Sequence, residues 1–223
     1  LRCFGIQAPE TLSSRTFATF AERIEAYVAD IRAVQPHGPY RLLGHSFGGY
    51  PAYGVAAALE AAGERVELLV MIDTITAHVM KEVEPVQRAP NLEIAKMFEV
   101  LSEELERELA PLPQDERWER VAARARAAGA VAAHFTGKDL ARVSRMLELL
   151  PPQIPGWTVP ELPHARLRFF RASNTPTPDP TLGWSQYVPR ERIDVVVLPG
   201  GHSSALEQPG VRDFVDRLFA LMN

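Results

Sequence analysis

The run Gly44-His45-Ser46-Phe47-Gly48-Gly49 sets a serine between glycines, after the apolar stretch Tyr40–Leu43 and ahead of an Ala-rich stretch of helical character. A Gly-x-Ser-x-Gly joining a strand to a helix is a nucleophile elbow. Its sharp turn stands the hydroxyl clear of the sheet, and its glycines let strand and helix approach closely. The chemistry such a serine supports is acyl transfer: Oγ attacks an acyl carbonyl and carries the acyl group as an ester. A serine hydroxyl alone is a weak nucleophile, so a base must lie within hydrogen-bond reach. A third group must then fix the tautomer of that base and stabilise its protonated form. Where the serine sits on such an elbow, the partners follow in the chain order Ser, Asp or Glu, His.

His202 and Asp73 fit that order. The strand-like run Asp194–Leu198 leads into Pro199-Gly200-Gly201-His202, a loop ahead of the last helical stretch. In an open α/β sheet the site lies beyond the carboxyl ends of the strands, where this histidine falls. His37 and His164 stand among prolines, and His78 and His134 lie in or near a helical insertion. His45 adjoins the nucleophile, and its side chain is expected to point away and pack under the elbow. Asp73 ends the strand-like run Val66–Ile72, on the same expected sheet edge as Ser46. Asp179 competes with it, because it follows the later run Leu167–Phe170; its setting, Pro176-Thr177-Pro178-Asp179-Pro180, is also that of a plain turn. Two backbone donors are needed for the oxyanion of the tetrahedral intermediate. The amide of Phe47 is the expected first. The second normally comes from a His-Gly or Gly-Gly loop after an earlier strand, and no such motif stands before Ser46.

The elements that must position these residues alternate. Short apolar runs rich in branched residues occur at Cys3–Gln7, Tyr40–Leu43, Val66–Ile72, Leu167–Phe170 and Asp194–Leu198. Continuous apolar runs of this kind suit parallel strands covered on both faces. Thr16–Val34 carries Phe17, Phe20, Ile24, Tyr27, Val28, Ile31 and Val34 at helical spacing, with Ser13 or Ser14 as expected caps and Pro36 as a stop. The helix after Ser46 runs to about Ala62, with Gly63 as its C-terminal cap, and Val211–Leu221 forms a last amphipathic helix. Strand alternating with helix predicts an α/β fold with a mostly parallel sheet. From 76 to 152 the alternation stops, and Leu92–Leu109, Glu116–Ala128 and Lys138–Leu150 all read as helices. An all-helical insertion after the elbow predicts a lid. The expected organisation is therefore a single domain over 1–223, with a core from 1–75 and 153–223 and a helical lid over about 76–152. Only one strand–helix unit precedes the elbow, so the amino-terminal strand or strands of such a sheet are expected to be missing from this sequence.

Composition narrows the field. The 223 residues carry a net charge of −4 with scattered Lys and Arg, which offers no basic footprint for nucleic acid. No apolar stretch approaches the ~20 residues of a membrane span, and the start Leu1-Arg2-Cys3-Phe4 lacks a charged region followed by an apolar core, so no secretory signal is expected in these residues. The single cysteine, Cys3, leaves no intrachain disulfide and fits a cytoplasmic setting. No metal is expected at the site.

The stretch Gln35-Pro36-His37-Gly38-Pro39-Tyr40-Arg41-Leu42-Leu43-Gly44-His45-Ser46-Phe47-Gly48-Gly49 closely resembles the thioesterase domains that end non-ribosomal peptide synthetases. The resemblance covers nearly the whole chain. Phe4-Gly5-Ile6-Gln7-Ala8-Pro9 is similar to the strand and turn before that family's first long helix. Val70-Met71-Ile72-Asp73-Thr74 is similar to its acid-bearing strand, at the spacing from Ser46 that synthase-embedded thioesterases show. Leu182-Gly183-Trp184 and Pro199-Gly200-Gly201-His202 match its later motifs. The resemblance implies an α/β-hydrolase fold and a catalytic Ser46, Asp73 and His202. It also implies a substrate: a peptidyl or acyl chain carried as a phosphopantetheine thioester by an upstream peptidyl carrier domain. The chain would pass to Ser46 and be released by hydrolysis or macrocyclisation in natural-product synthesis. No cofactor would be bound by the domain itself. Four other readings stay open: a polyketide synthase terminal thioesterase, a stand-alone editing thioesterase with the later acid, a general serine esterase, and a non-catalytic docking module.

Overall fold

The computed structural model describes residues 2–8, 17–79, 90–149, 154, 156–175, 177–202, 204–206 and 210–220. Four strands, β1 (Tyr40–His45), β2 (Val66–Ile72), β3 (Leu167–Ala172) and β4 (Ile193–Leu198), form one sheet in the order β1-β2-β3-β4. All three pairings are parallel. Parallel strands present their carboxyl ends along one edge, so the residues after β1, β2, β3 and β4 converge there.

The apolar runs become strands because both faces of the sheet are covered. Along β2, Leu69 and Met71 enter one core with Phe20, Tyr53, Phe169 and Trp184. Leu68, Val70 and Ile72 enter the opposite core with Phe170, Leu198 and Phe214. The split follows the two-residue side-chain period of a strand. Two helices, α1 (Phe20–Val34) and α2 (Gly49–Ala61), supply the first core. The C-terminal helix, Gly210–Ala220, supplies Phe214 to the second. Each fully buried Leu or Met adds roughly 1.5–3 kcal/mol relative to exposure.

Helix α1 starts at Phe20, four residues later than the apolar spacing predicts. Thr19 caps it: Thr19 Oγ1 accepts from the Glu22 amide at 3.2 Å, and Glu22 in turn accepts from the Ala18 amide at 3.0 Å. Thr19 thereby occupies a helix-end donor that would otherwise go unpaired, while Glu22 ties back the residue before the cap. Ser13 and Ser14 lie outside the described residues. Helix α2 ends at Ala61, and Gly63 adopts φ 80° just beyond it, the left-handed stop expected of a glycine there.

The run Cys3–Gln7 is not a strand. Residues 2–8 have no regular structure, and Phe4 and Ile6 are exposed. A branched apolar run gains strand geometry only by pairing, and among the described residues Cys3–Gln7 joins no strand of the sheet.

The chain divides into two compact units. One comprises Leu1–Ile6, Thr16–Pro85 and Gln153–Asn223, and it contains the sheet. The other comprises Gln7–Arg15 and Val86–Pro152. Its helices are α3 (Pro90–Met97), α4 (Glu103–Leu109), α5 (Gln114–Ala127) and α6 (Gly137–Leu149). They share a core built on Ile94, Leu105, Leu109, Trp118, Val121 and Leu140. The stretch expected as one helix over Leu92–Leu109 is two. Glu99 takes φ 57°, and Ser102 Oγ accepts from the Leu105 amide at 3.1 Å to cap α4. Among the described residues no helix is long and apolar enough to cross a membrane.

Candidate active site

The elbow forms where β1 turns into a short 3-10 segment, Ser46–Gly48, that continues into α2. A side chain on Gly44 would collide with the Gly48 carbonyl, and one on Gly49 with the Thr74 side chain. Only glycine permits that approach. Ser46 takes φ 55° and Asp73 φ 46°, two of the four non-glycine residues with positive φ in the described chain. Backbone strain of this kind costs on the order of 1–3 kcal/mol and persists where surrounding contacts impose it. Here Thr74 Oγ1 donates to the Ser46 carbonyl at 2.8 Å, and the Asp73 amide donates to the Phe170 carbonyl at 2.7 Å.

Ser46 Oγ lies 2.7 Å from His202 Nε2, and His202 Nδ1 lies 2.7 Å from Asp73 Oδ2. The three residues follow the ends of β1, β2 and β4, and the sheet edge brings them together. Since Asp73 Oδ2 accepts, Nδ1 carries a proton, which leaves Nε2 of the neutral ring as the acceptor for the serine proton. Asp73 is 3% exposed. Its carboxyl also accepts from the Ala172 amide at 2.9 Å, and the Thr175 hydroxyl reaches both carboxyl oxygens at 2.9 Å. Burial pushes the carboxyl pKa up, but the hydrogen bonds from His202, Ala172 and Thr175 outweigh it and hold Asp73 below the ordinary aspartate range.

Asp179 stands elsewhere. Its carboxyl accepts from the Thr181 amide and hydroxyl, both at 2.8 Å, and from the Gly183 amide at 2.7 Å. It therefore organises the turn into Leu182-Gly183-Trp184, where Gly183 takes φ 94°. That turn buries Trp184, whose indole Nε1 donates to the Thr74 carbonyl at 2.7 Å and so braces the residue after Asp73.

His45 departs from expectation. Its ring does not point away from the site: it stacks on the His202 ring, centroids 5.1 Å apart at 27°, and its Nε2–H donates to the His202 carbonyl at 3.2 Å. A long-range loop contact decides this orientation, and no local pattern could show it. Thr175 was also missed. The available signal was weak: Ser173-Asn174-Thr175 is a polar run just past the carboxyl end of β3.

The Thr175 bond has a measurable consequence. An aspartate with a depressed folded-state pKa adds stability above its unfolded pKa, and that contribution disappears as pH falls through the folded value. Thr175→Val removes one donor and raises the folded pKa. Denaturant titrations should find the variant less stable near neutral pH by about 1 kcal/mol, with the gap closing in strong acid where Asp73 is protonated in both proteins.

The site defines a class: a strand–elbow serine, a histidine from a late loop and an aspartate from an intermediate strand, on an α/β-hydrolase fold with a parallel sheet flanked by helices. The family model described as the thioesterase domain matches residues 1–221, and the chain belongs to that family. Enterobactin synthase component F of Escherichia coli strain K12 is 48% identical over 71 residues, covering 31% of this chain and 6% of that protein. Malpinin synthetase of Mortierella alpina is 46% identical over 72 residues, covering 32% of this chain and 1% of that protein. The chain thus spans a small fraction of the curated relatives it matches. In structure it resembles a four-domain nonribosomal peptide synthetase with bound AMP and glycine, at TM-score 0.71 and 24% identity, covering 96% of this chain and 17% of the other. It also resembles the NocB thioesterase domain in covalent complex with a fluorophosphonate nocardicin G analogue, at TM-score 0.60 and 21% identity, covering 96% and 79%. These likenesses establish the shared fold.

Proposed function

We propose that this domain ends the assembly of a peptidyl or acyl chain: it takes the chain from a carrier-domain phosphopantetheine thioester onto Ser46 and releases it. The observation that carries this reading is the unbroken Ser46–His202–Asp73 hydrogen-bond chain in a member of the thioesterase-domain family. His202 Nε2 takes the Ser46 proton as Oγ attacks the thioester carbonyl. Asp73 holds the imidazole and offsets its positive charge. The Phe47 amide donates to the oxyanion. It lies in the first turn of the helical run that begins at Ser46, where amides lack intrahelical acceptors and the helix dipole is positive. Collapse of the tetrahedral intermediate breaks the C–S bond, and His202 returns the proton to the departing thiol. The acyl-Ser46 ester then yields to water, giving the acid, or to an amine or hydroxyl of the same chain, giving a ring. His202 serves as base again and Ser46 recovers its proton.

The partner is an upstream carrier domain in the cytoplasm, and the pantetheine arm enters and leaves with it. The helical unit is assigned the role of a lid from its place in the chain, inserted between β2 and β3, whose ends carry Asp73 and Thr175. Exclusion of water by such a lid would favour ring closure over hydrolysis.

Two substrates separate this from a general esterase. A peptidyl N-acetylcysteamine thioester should be turned over with a higher kcat/KM than a nitrophenyl ester of acetate or butyrate, and mass spectrometry of the product should show the acid or the dehydrated ring. Turnover of the simple esters with none of the thioester would replace this function with small-ester hydrolysis.

A further inference from the structure

We infer that His45 is a positioning residue for the base. Its Nε2–H, held on the His202 carbonyl, and its ring, stacked on the His202 ring, keep the His202 imidazole aimed at Ser46 Oγ. This rests on the role given to Ser46 and His202 under Proposed function.

His202 follows two glycines, and Gly200 takes φ 108°. Such a segment is intrinsically permissive, so the direction of the histidine must be imposed from outside it. His45 can impose it because it is fixed. It is the last residue of β1 and pairs in register with Ile72, directly before Asp73. A single side chain thus links the strand that carries the nucleophile to the loop that carries the base, 157 residues apart in sequence. The hydrogen bond holds the His202 backbone, and the stack restricts rotation of its ring. Two 2.7 Å contacts on opposite nitrogens of His202 depend on that angle.

The charge state suits the role. Burial pushes the His45 pKa down, and the charge of His202 adds to that, against the opposing hydrogen bond to the His202 carbonyl and the attraction of Asp73. His202 and Asp73 are the charged groups acting on it. A neutral His45 offers a ring face to the His202 imidazolium formed when Ser46 gives up its proton, whereas a protonated one would repel it.

The experiment compares the 223-residue chain with His45→Gln, His45→Phe and His45→Ala. Three quantities are read: kcat and KM on a peptidyl N-acetylcysteamine thioester, the rate of Ser46 labelling by a fluorophosphonate, and the melting temperature. His45→Ala should lower kcat and labelling rate by about tenfold or more while KM stays within about twofold. Gln keeps a donor and Phe keeps a ring, so each should recover part of the loss. Parent-like labelling and kcat in His45→Ala would overturn the inference and leave the proposed function standing. Equal losses in all three variants that track a loss of folded protein would overturn it too, in favour of simple packing. If the unaltered chain is neither labelled nor active, the proposed function itself fails, and the assignment of His45 falls with it.

Discussion

Ser46→Ala should lower thioester turnover by about 10⁴–10⁶ while leaving the fold in place. The size follows from what is removed. In the proposed reaction Oγ is the atom that forms the acyl ester, and it is the hydroxyl that lies 2.7 Å from His202 Nε2. The fold should survive because the elbow is held through the backbone. Thr74 Oγ1 bonds the Ser46 carbonyl, not its side chain, and Gly44 and Gly49 provide the close approach. The strained φ of 55° is as costly for alanine as for serine, so that term cancels. Steady-state kinetics and a thermal melt on the same preparation check both halves.

Asp73→Asn should lower kcat by about 10⁴. An asparagine keeps the shape but removes the charge that offsets the imidazolium. Its amide can also turn an N–H toward Nδ1, which selects the tautomer whose proton sits on Nε2, facing Ser46. Asp179→Asn is the matched control. Asp179 accepts three bonds within its own turn, so its substitution should cost some stability and leave kcat within a few-fold. Loss of turnover in Asp179→Asn with Asp73→Asn spared would assign the acid to the later strand and favour the editing type of thioesterase.

What the sequence disclosed and what it hid divide along a physical line. The elbow at Ser46 was legible because such a turn needs glycines at fixed offsets around the serine. Asp73 and His202 were legible because parallel strands deliver their carboxyl ends to one edge, so chain order and strand ends suffice. The limits of β2 came out as read, Val66–Ile72, because a strand buried on both faces is apolar without interruption. Cys3–Gln7 misled for the complementary reason: apolar, branched residues state a preference for pairing, and among the described residues that run pairs with no strand. The break at Glu99 was hidden by a run of good helix formers, although Ser102 followed by Glu103, Glu104 and Glu106 is a readable helix start. The contacts of His45, Thr175 and Trp184 with the site span about 100 residues or more, and no local pattern encodes them.

The proposed reaction requires Ser46 to carry the chain as a covalent ester. Rapid-quench mass spectrometry of the intact protein, mixed with a peptidyl N-acetylcysteamine thioester, tests it directly. The expected result is a transient species heavier by the acyl group, mapped by proteolysis to the peptide containing Ser46 and absent from Ser46→Ala. Product formation without that adduct, or an adduct that maps to another residue, would contradict it.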